Sequence, residues 1–450
     1  MSVAPLNLSW ATPTHVRGTS SALGEPEWLT ADRLAALEKV ADLPAEPNQL
    51  FMTYLDLRAV DFAAVEPYPP TPAAVDLDAA SLPHGAGALV HVDGRSVVGR
   101  VLSPEVQASG VVIDTLDEIA RTRPQLVREF IEGGGSLPHD DAFGQVSRAF
   151  STLGLVIHVP AGVQLEQPIV LRWSHGAPGF GLISRSIISL GANAAATVFE
   201  EQLASGDASG EAGTRADSLW WGTTEIDLAD GAVLDFAGEQ DFGPATATFV
   251  SRQARVGKDA TIKWAVASVG SRLHRSRIDN LLQGRGATVK QVEIGFGDGT
   301  QLFDLTSYTR HIGENTTSDL LSKGVFTGKS RGYIKGLIEI ARSARGTDTF
   351  LGEFSMLLER SARSVTIPSL EIDQPDVVRA MHSSTVAPID ENQIFSLMSR
   401  GLSAEAARKA IVMGFLEPVV ARIPLPEAQE RLRGLLQKKW PESATSAAAA

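Results

Sequence analysis

Val156-Ile157-His158-Val159-Pro160-Ala161-Gly162-Val163-Gln164-Leu165 is a period-two run broken by a Pro-Ala-Gly turn, and Pro168-Ile169-Val170-Leu171 continues it. A period of two sends successive side chains to opposite faces of a strand, and the turn lets the chain re-enter a sheet at once. Downstream, short alternating runs recur behind pairs of small residues: Gly191-Ala192, Gly231-Ala232, Asp259-Ala260 and Gly286-Ala287. Such pairs make tight corners whose small side chains can stack from one coil to the next. Their unequal spacing fits an irregular solenoid better than a strict hexapeptide array. The expected fold is mainly β, a right-handed parallel β-helix (β-solenoid) over residues 151–375, with a β-sandwich as the alternative.

Outward from that core the period becomes helical. Residues 1–150 read as a mostly helical region opening at Glu25-Pro26-Glu27-Trp28-Leu29, with Leu34, Leu37 and Ala41 on one face and Pro44 and Pro47 ending the helix. A β-hairpin is expected around Val90 to Val98, turning at Asp93-Gly94, and a helix from about Leu116 to Phe130. Gly133-Gly134-Gly135 reads as a flexible joint. Near Ile372 the pattern turns helical again, giving a C-terminal region over 376–450. Asp390 caps a helix carrying Ile394, Phe395 and Met398, which Gly401 closes; Ser403 caps a second with Ala407, Ile411, Val412 and Phe415. Pro424 and Pro426 precede a third, Glu427 to Lys438, and the tail from Pro441 to Ala450 is polar and small enough to be disordered.

The 450-residue chain exceeds the roughly 250–300 residues at which one core stops growing. Its net charge of −13 argues against a phosphate-backbone partner such as nucleic acid. No basic and apolar leader opens the chain and no run approaches a membrane span, so no membrane association is expected and the cytoplasm is the default compartment. There is no cysteine, which removes disulfides, a thiolate metal site and a nucleophilic thiol, together with the usual ligand of iron–sulfur clusters.

Local motifs for chemistry are decoys. Gly324-Val325-Phe326-Thr327-Gly328-Lys329-Ser330 is one residue short of a phosphate loop, and strand-like alternation follows where a helix N-terminus would be needed. Gly295-Phe296-Gly297-Asp298-Gly299 lies between strand-like runs and reads as a turn. The nine histidines include no H-x-H or H-x-x-x-H pair, so no autonomous metal site is encoded locally. Glu200-Glu201 would point to opposite faces of a strand, which fits a solvated surface better than acid–base catalysis.

From His311 onward the sequence resembles the SufB/SufD family of iron–sulfur cluster assembly proteins. Ser318-Asp319-Leu320-Leu321-Ser322-Lys323-Gly324-Val325 is similar to that family's SDLLxKGV stretch, and Pro368-Ser369-Leu370-Glu371-Ile372 to its PxLEI step. Asp376 to Val386 resembles DDVKCSHGATV, with Ala380, Met381 and Ser383 replacing its Cys, Ser and Gly, so that only His382 carries over. Asp390-Glu391-Asn392-Gln393-Ile394-Phe395 and Ser399-Arg400-Gly401 continue the match. Gly414-Phe415-Leu416-Glu417-Pro418 looks like a stretch of the SufB branch, whereas the lack of cysteine and the opening helix look more like the SufD branch.

The resemblance implies a parallel β-helix with helical ends, working as an assembly subunit with no enzymatic turnover of its own. It implies pairing with a SufB-like scaffold and docking of a SufC-like ATPase on the C-terminal helices, where Ile411, Phe415 and Leu416 are apolar beyond what three short helices need. Packing against the β-helix is the alternative use of those three. It also implies a transient iron–sulfur cluster or iron at the junction with SufB, and no permanently bound cofactor. There His382 would supply one metal ligand beside the partner's cysteines, since imidazole replaces thiolate on one iron of Rieske centres. The alternatives are a SufB-like paralogue, a β-helix carbohydrate-active enzyme with acidic residues on exposed strands, and a homodimer acting alone.

Overall fold

The computed structural model describes residues 6, 8–62, 65–70, 74–93, 97–205, 216–423 and 425–440. The chain winds as a mainly β, two-sided solenoid of about eight turns, flanked by helices. Successive strands alternate between two sheets: Phe180–Leu190 lies in the first, Ala195–Ala204 in the second, Ser218–Leu228 in the first, Val233–Asp241 in the second. The alternation runs on to Arg363–Ile372 and Arg379–Pro388. Solenoid neighbours are parallel and in register, as in Ile188, Ile226 and Ala254 on the first sheet and Val198, Phe236 and Trp264 on the second. These inward side chains form the continuous core, which period-two sequence selects because only every other residue can face it.

The corners follow a rule that the sequence hid. Asn193, Gly231, Asp259, Gly286, Asn315 and Gly346 all hold positive φ, between 52° and 74°. Each donates its backbone N–H to the next coil, to Asp230, Lys258, Arg285, Glu314, Arg345 and Asp376 in turn, at 2.7 to 2.9 Å. Asx and glycine alternate because a Cβ on Gly231, Gly286 or Gly346 would collide with the Asn193, Asp259 or Asn315 side chain of the preceding coil. Asn and Asp are the non-glycine residues that tolerate this region best. A buried small residue follows each corner: Ala194, Ala232, Ala260, Ala287, Thr316 and Thr347. The first corner is therefore Asn193-Ala194, two residues beyond the expected Gly191-Ala192.

Helices α1 (Pro13–Leu23), α2 (Glu27–Asp42), α3 (Pro104–Ala108), α4 (Leu116–Thr122), α5 (Arg128–Glu132) and α6 (Ala142–Phe150) belong to the N-terminal part. Residues of α1, α2 and α6 cover the outer face of the first sheet, Val16, Ala36, Val40, Phe143 and Phe150 packing with Ile183, Leu219, Trp221 and Phe249. The buried stripe of α2 is Leu29, Asp32, Arg33, Ala36 and Val40, while Leu34 and Leu37 are half-buried and Ala41 is exposed. The shift of face is caused by charge: Asp32 accepts from Arg148 of α6 and from Arg185 of the solenoid at 2.8 Å, and Arg185 Nε donates to Glu225 at 2.8 Å. Burial alone would push the Asp32 carboxyl up, but the two guanidinia hold it below its ordinary range.

The helix expected from Leu116 to Phe130 is broken at Pro124 into α4, a short 3-10 turn and α5. Ala88–Asp93 and Val97–Leu102 form the expected antiparallel hairpin, whose turn at Gly94 lies outside the described residues. Ala88–Asp93 also pairs in parallel with Ile169–His175, so the N-terminal part adds strands to the solenoid.

Helices α7 (Glu391–Met398), α8 (Ala404–Val420) and α9 (Pro426–Lys438) follow the last strand. Asp390 accepts from Asn392 N at 2.8 Å and Ser403 from Ala406 N at 3.1 Å, the two caps read from the sequence. Together the helices cover the outer face of the second sheet, Val412, Leu416, Val420, Leu432 and Leu436 packing with Phe199, Val292, Ile294, Phe296 and Val325. Arg431 of α9 fixes them by bridging Glu201 and Glu239. Pro424 and the tail 441–450 lie outside the described residues. Among the described residues no helix is long and apolar enough to cross a membrane.

Candidate functional site at the open end of the solenoid

The two ends of the solenoid are finished differently. At the first, Val112–Thr115 pairs antiparallel with Leu153–Val159, and Val106, Val111 and Ile113 plug the core. At the other, the ten-residue strands Arg363–Ile372 and Arg379–Pro388 each have a neighbour on one side only among the described residues. Apolar side chains crowd this rim in the open: Val378 is 73% exposed and Met381 51%, with Ile372 and Val386 beside them. A long edge strand with unpaired N–H and C=O groups and apolar side chains is a template for another chain.

His382 sits on that rim. The sequence places helix soon after Ile372, but Arg379–Pro388 is a strand of the second sheet, and the helices begin only at Glu391. His382 is in register with Leu351, a core residue, and Ala380 two positions earlier packs against the core. Alternation therefore puts His382 and Ser384 on the lumen side of the last coil, where both are exposed. Among the described residues no three His, Cys, Asp or Glu side chains converge to hold a metal ion. His382 can offer one imidazole nitrogen, and a full coordination shell needs groups from elsewhere.

One coil deeper lies Glu353, which sequence reasoning missed. It is opposite Ser384, fully buried, and neither carboxylate oxygen has a side-chain hydrogen-bond partner among the described residues. Burial pushes its carboxyl up to about 8, with the backbone N–H of Ile367 acting in the opposite direction. The available signal was parity: Thr349, Leu351, Glu353 and Ser355 share the inward face. Further in, Glu293 accepts from Ser276 at 2.8 Å and is pushed up to about 7 by burial.

Glu200 and Glu201 do point to opposite faces, but both are buried rather than solvated. Glu200 accepts from Trp173 at 3.2 Å and pairs with Arg252 inside, while Glu201 meets Arg172 and Arg431 outside. Each glycine-rich decoy is the end of a strand and the turn after it: Thr288–Gly297 leads through Asp298-Gly299 to Leu302–His311, and Thr317–Phe326 through Thr327 to Ser330 into Arg331–Ile340, with no helix following Lys329-Ser330.

Of the residues marked for partner docking, Leu416 is buried in the protein's own core, and Ile411 and Phe415 are half-buried against it. Lys323 Nζ donates to the Phe415 carbonyl at 3.0 Å and lies 4.6 Å from its ring centroid. The apolar surface left open by the C-terminal helices is instead Phe395, 71% exposed, with Met398 and Leu402.

The described residues thus form a parallel β-helix plugged at one end and apolar-edged at the other, with no group of three metal-ligating side chains. A family model described as the SUF system FeS cluster assembly SufBD core domain matches residues 173–415, and one described as the SufBD protein N-terminal region matches 94–171. The chain belongs to the SufBD family of iron–sulfur cluster assembly proteins. It is 24% identical to the iron–sulfur cluster assembly protein SufD of Bacillus subtilis, over 94% of this chain and 97% of that one. It is 26% identical to SufB of the same organism, over 75% and 70%, and 27% identical to a SufBD family protein of Mycobacterium bovis, over 81% and 91%.

Proposed function

We propose that this chain is a SufD-like scaffold subunit that pairs end to end with a SufB-like partner through its open terminal coil. The observation that carries the reading is the contrast between the plugged first end and the bare last one, where two ten-residue edge strands and an apolar rim await a covering chain. The absence of cysteine favours the SufD role, since the thiolates of a shared cluster must then come from the partner. His382 supplies one ligand to an iron or nascent cluster that passes through the junction as cargo. A SufC-like ATPase docks on the C-terminal helices, with Phe395, Met398 and Leu402 at the contact and Ile411 and Phe415 supporting it from half-buried positions. The subunit performs no turnover of its own; it positions ligands and partners.

The test is His382→Ala in the assembled complex. Its exposure makes the substitution harmless to the fold, so partner binding persists while cluster yield falls; full cluster yield would remove His382 from the site.

A further inference from the structure

Glu353 has no structural task that the fold reveals. Its carboxyl lies inside the solenoid lumen with the backbone N–H of Ile367 near it and no side-chain hydrogen bond on either oxygen among the described residues. A buried carboxyl with no charged or side-chain partner costs stability, so its presence needs a cause. The facing strand makes room for it: a Cβ on Gly336 would come 2.6 Å from Glu353 Oε1, so the glycine leaves a notch that the carboxyl occupies. A single coil separates this carboxyl from solvent, and the residues of that coil nearest above it are small, with Ser384 exposed and Thr366 half-buried. Glu353 is in register with Ser384, two positions along the strand from His382. Strand spacing and rise put the two Cα atoms about 8 Å apart on the ladder diagonal, close enough for both side chains to reach one ion.

We propose that Glu353 is a metal ligand of this chain, reaching up the lumen to share a divalent first-row transition ion with His382 at the solenoid mouth. The pairing of one imidazole nitrogen with one carboxylate oxygen suits ferrous iron and its neighbours, leaving the remaining positions to water or to groups of a covering partner. The inference rests on the reading of His382 as a ligand and adds a second donor from the same chain.

The experiment titrates the full-length chain with cobalt(II) alone, following the visible absorption of the bound ion, in wild type, Glu353→Gln, His382→Ala and Glu293→Gln. Expected are saturable binding by the wild type, a loss of about tenfold or more in affinity for Glu353→Gln and for His382→Ala, and no change for Glu293→Gln, whose carboxyl lies deeper. Unchanged binding by Glu353→Gln with weakened binding by His382→Ala overturns the inference and leaves His382 standing. Weakened binding by Glu353→Gln alone separates the two residues and overturns their sharing of one ion. No saturable binding by the wild type also overturns it, without touching a role for His382 among partner thiolates.

Discussion

Replacing Asp32 by Asn should loosen the N-terminal helices from the solenoid while leaving the coils intact. Asp32 accepts from Arg148 and Arg185, both buried, and only Arg185 has a second carboxylate, Glu225 at 2.8 Å. Removing one partner of a buried ion pair costs about 3–5 kcal/mol. The retained Glu225 contact puts the expected loss near ~3 kcal/mol, roughly two orders of magnitude in an opening equilibrium. Hydrogen exchange read peptide by peptide should show this loss in α2 and α6 and little change in strands such as Thr288–Gly297. The Asp32 carboxyl is held below its ordinary value, so its contribution is complete above the unfolded-state pKa near ~4 and disappears as pH falls through the lower folded value. The difference between wild type and variant should therefore shrink below about pH 4. Exchange in α2 and α6 unchanged within ~0.5 kcal/mol at neutral pH would refute the clasp.

Three further outcomes follow from the same structure. Glu293 is pushed up to about 7 inside the lumen, so between about pH 4 and 7 the unfolded state gives up a proton that the folded state keeps, and stability falls by ~3 kcal/mol; urea unfolding of Glu293→Gln should lack that fall, and an identical pH slope would contradict it. Gly286→Ala should destabilise by at least ~1–2 kcal/mol, since a left-handed alanine also meets the Asp259 side chain; adding Asp259→Gly should recover part of the loss, and simple additivity would break the corner rule. Phe395→Ser together with Met398→Ser should leave thermal unfolding unchanged, as both are exposed, and weaken ATPase binding by about tenfold or more in a pull-down titration; unchanged affinity would move the docking surface elsewhere.

The solenoid was legible because burial of one face imposes period two, and Val156 to Leu165 shows that period around a turn. The corners were half legible: glycine announces a positive φ, but Asn193 and Asn315 hold the same conformation with a side chain, which only the stacking of coils explains. The strand Arg379–Pro388 was hidden because an exposed terminal strand shows no clear apolar alternation, so the sequence there reads as part of the helical region that follows. The face of α2 was misjudged because Asp32 and Arg33 are charged and buried, Asp32 offset by Arg148 and Arg185 more than a hundred residues away in sequence and Arg33 by Glu25 and the distant Ser151 carbonyl. His382 was singled out by its motif, whereas Glu353 needed the register of two sheets to be recognised as an inward carboxyl. Ile411, Phe415 and Leu416 looked spare because sequence cannot show that the second sheet has an outer face to be covered.

The most direct test of the account is the affinity of this chain for a SufB-type protein, measured by size-exclusion chromatography with light scattering, for wild type and for a variant with Met381→Lys and Val386→Lys. Both side chains are exposed on the edge strand, so the variant should fold normally, and lysine on an open edge opposes strand addition. The account predicts a stable one-to-one complex for the wild type and its loss for the variant. An undiminished complex from the variant, or a wild type that forms only its own homodimer, would contradict it.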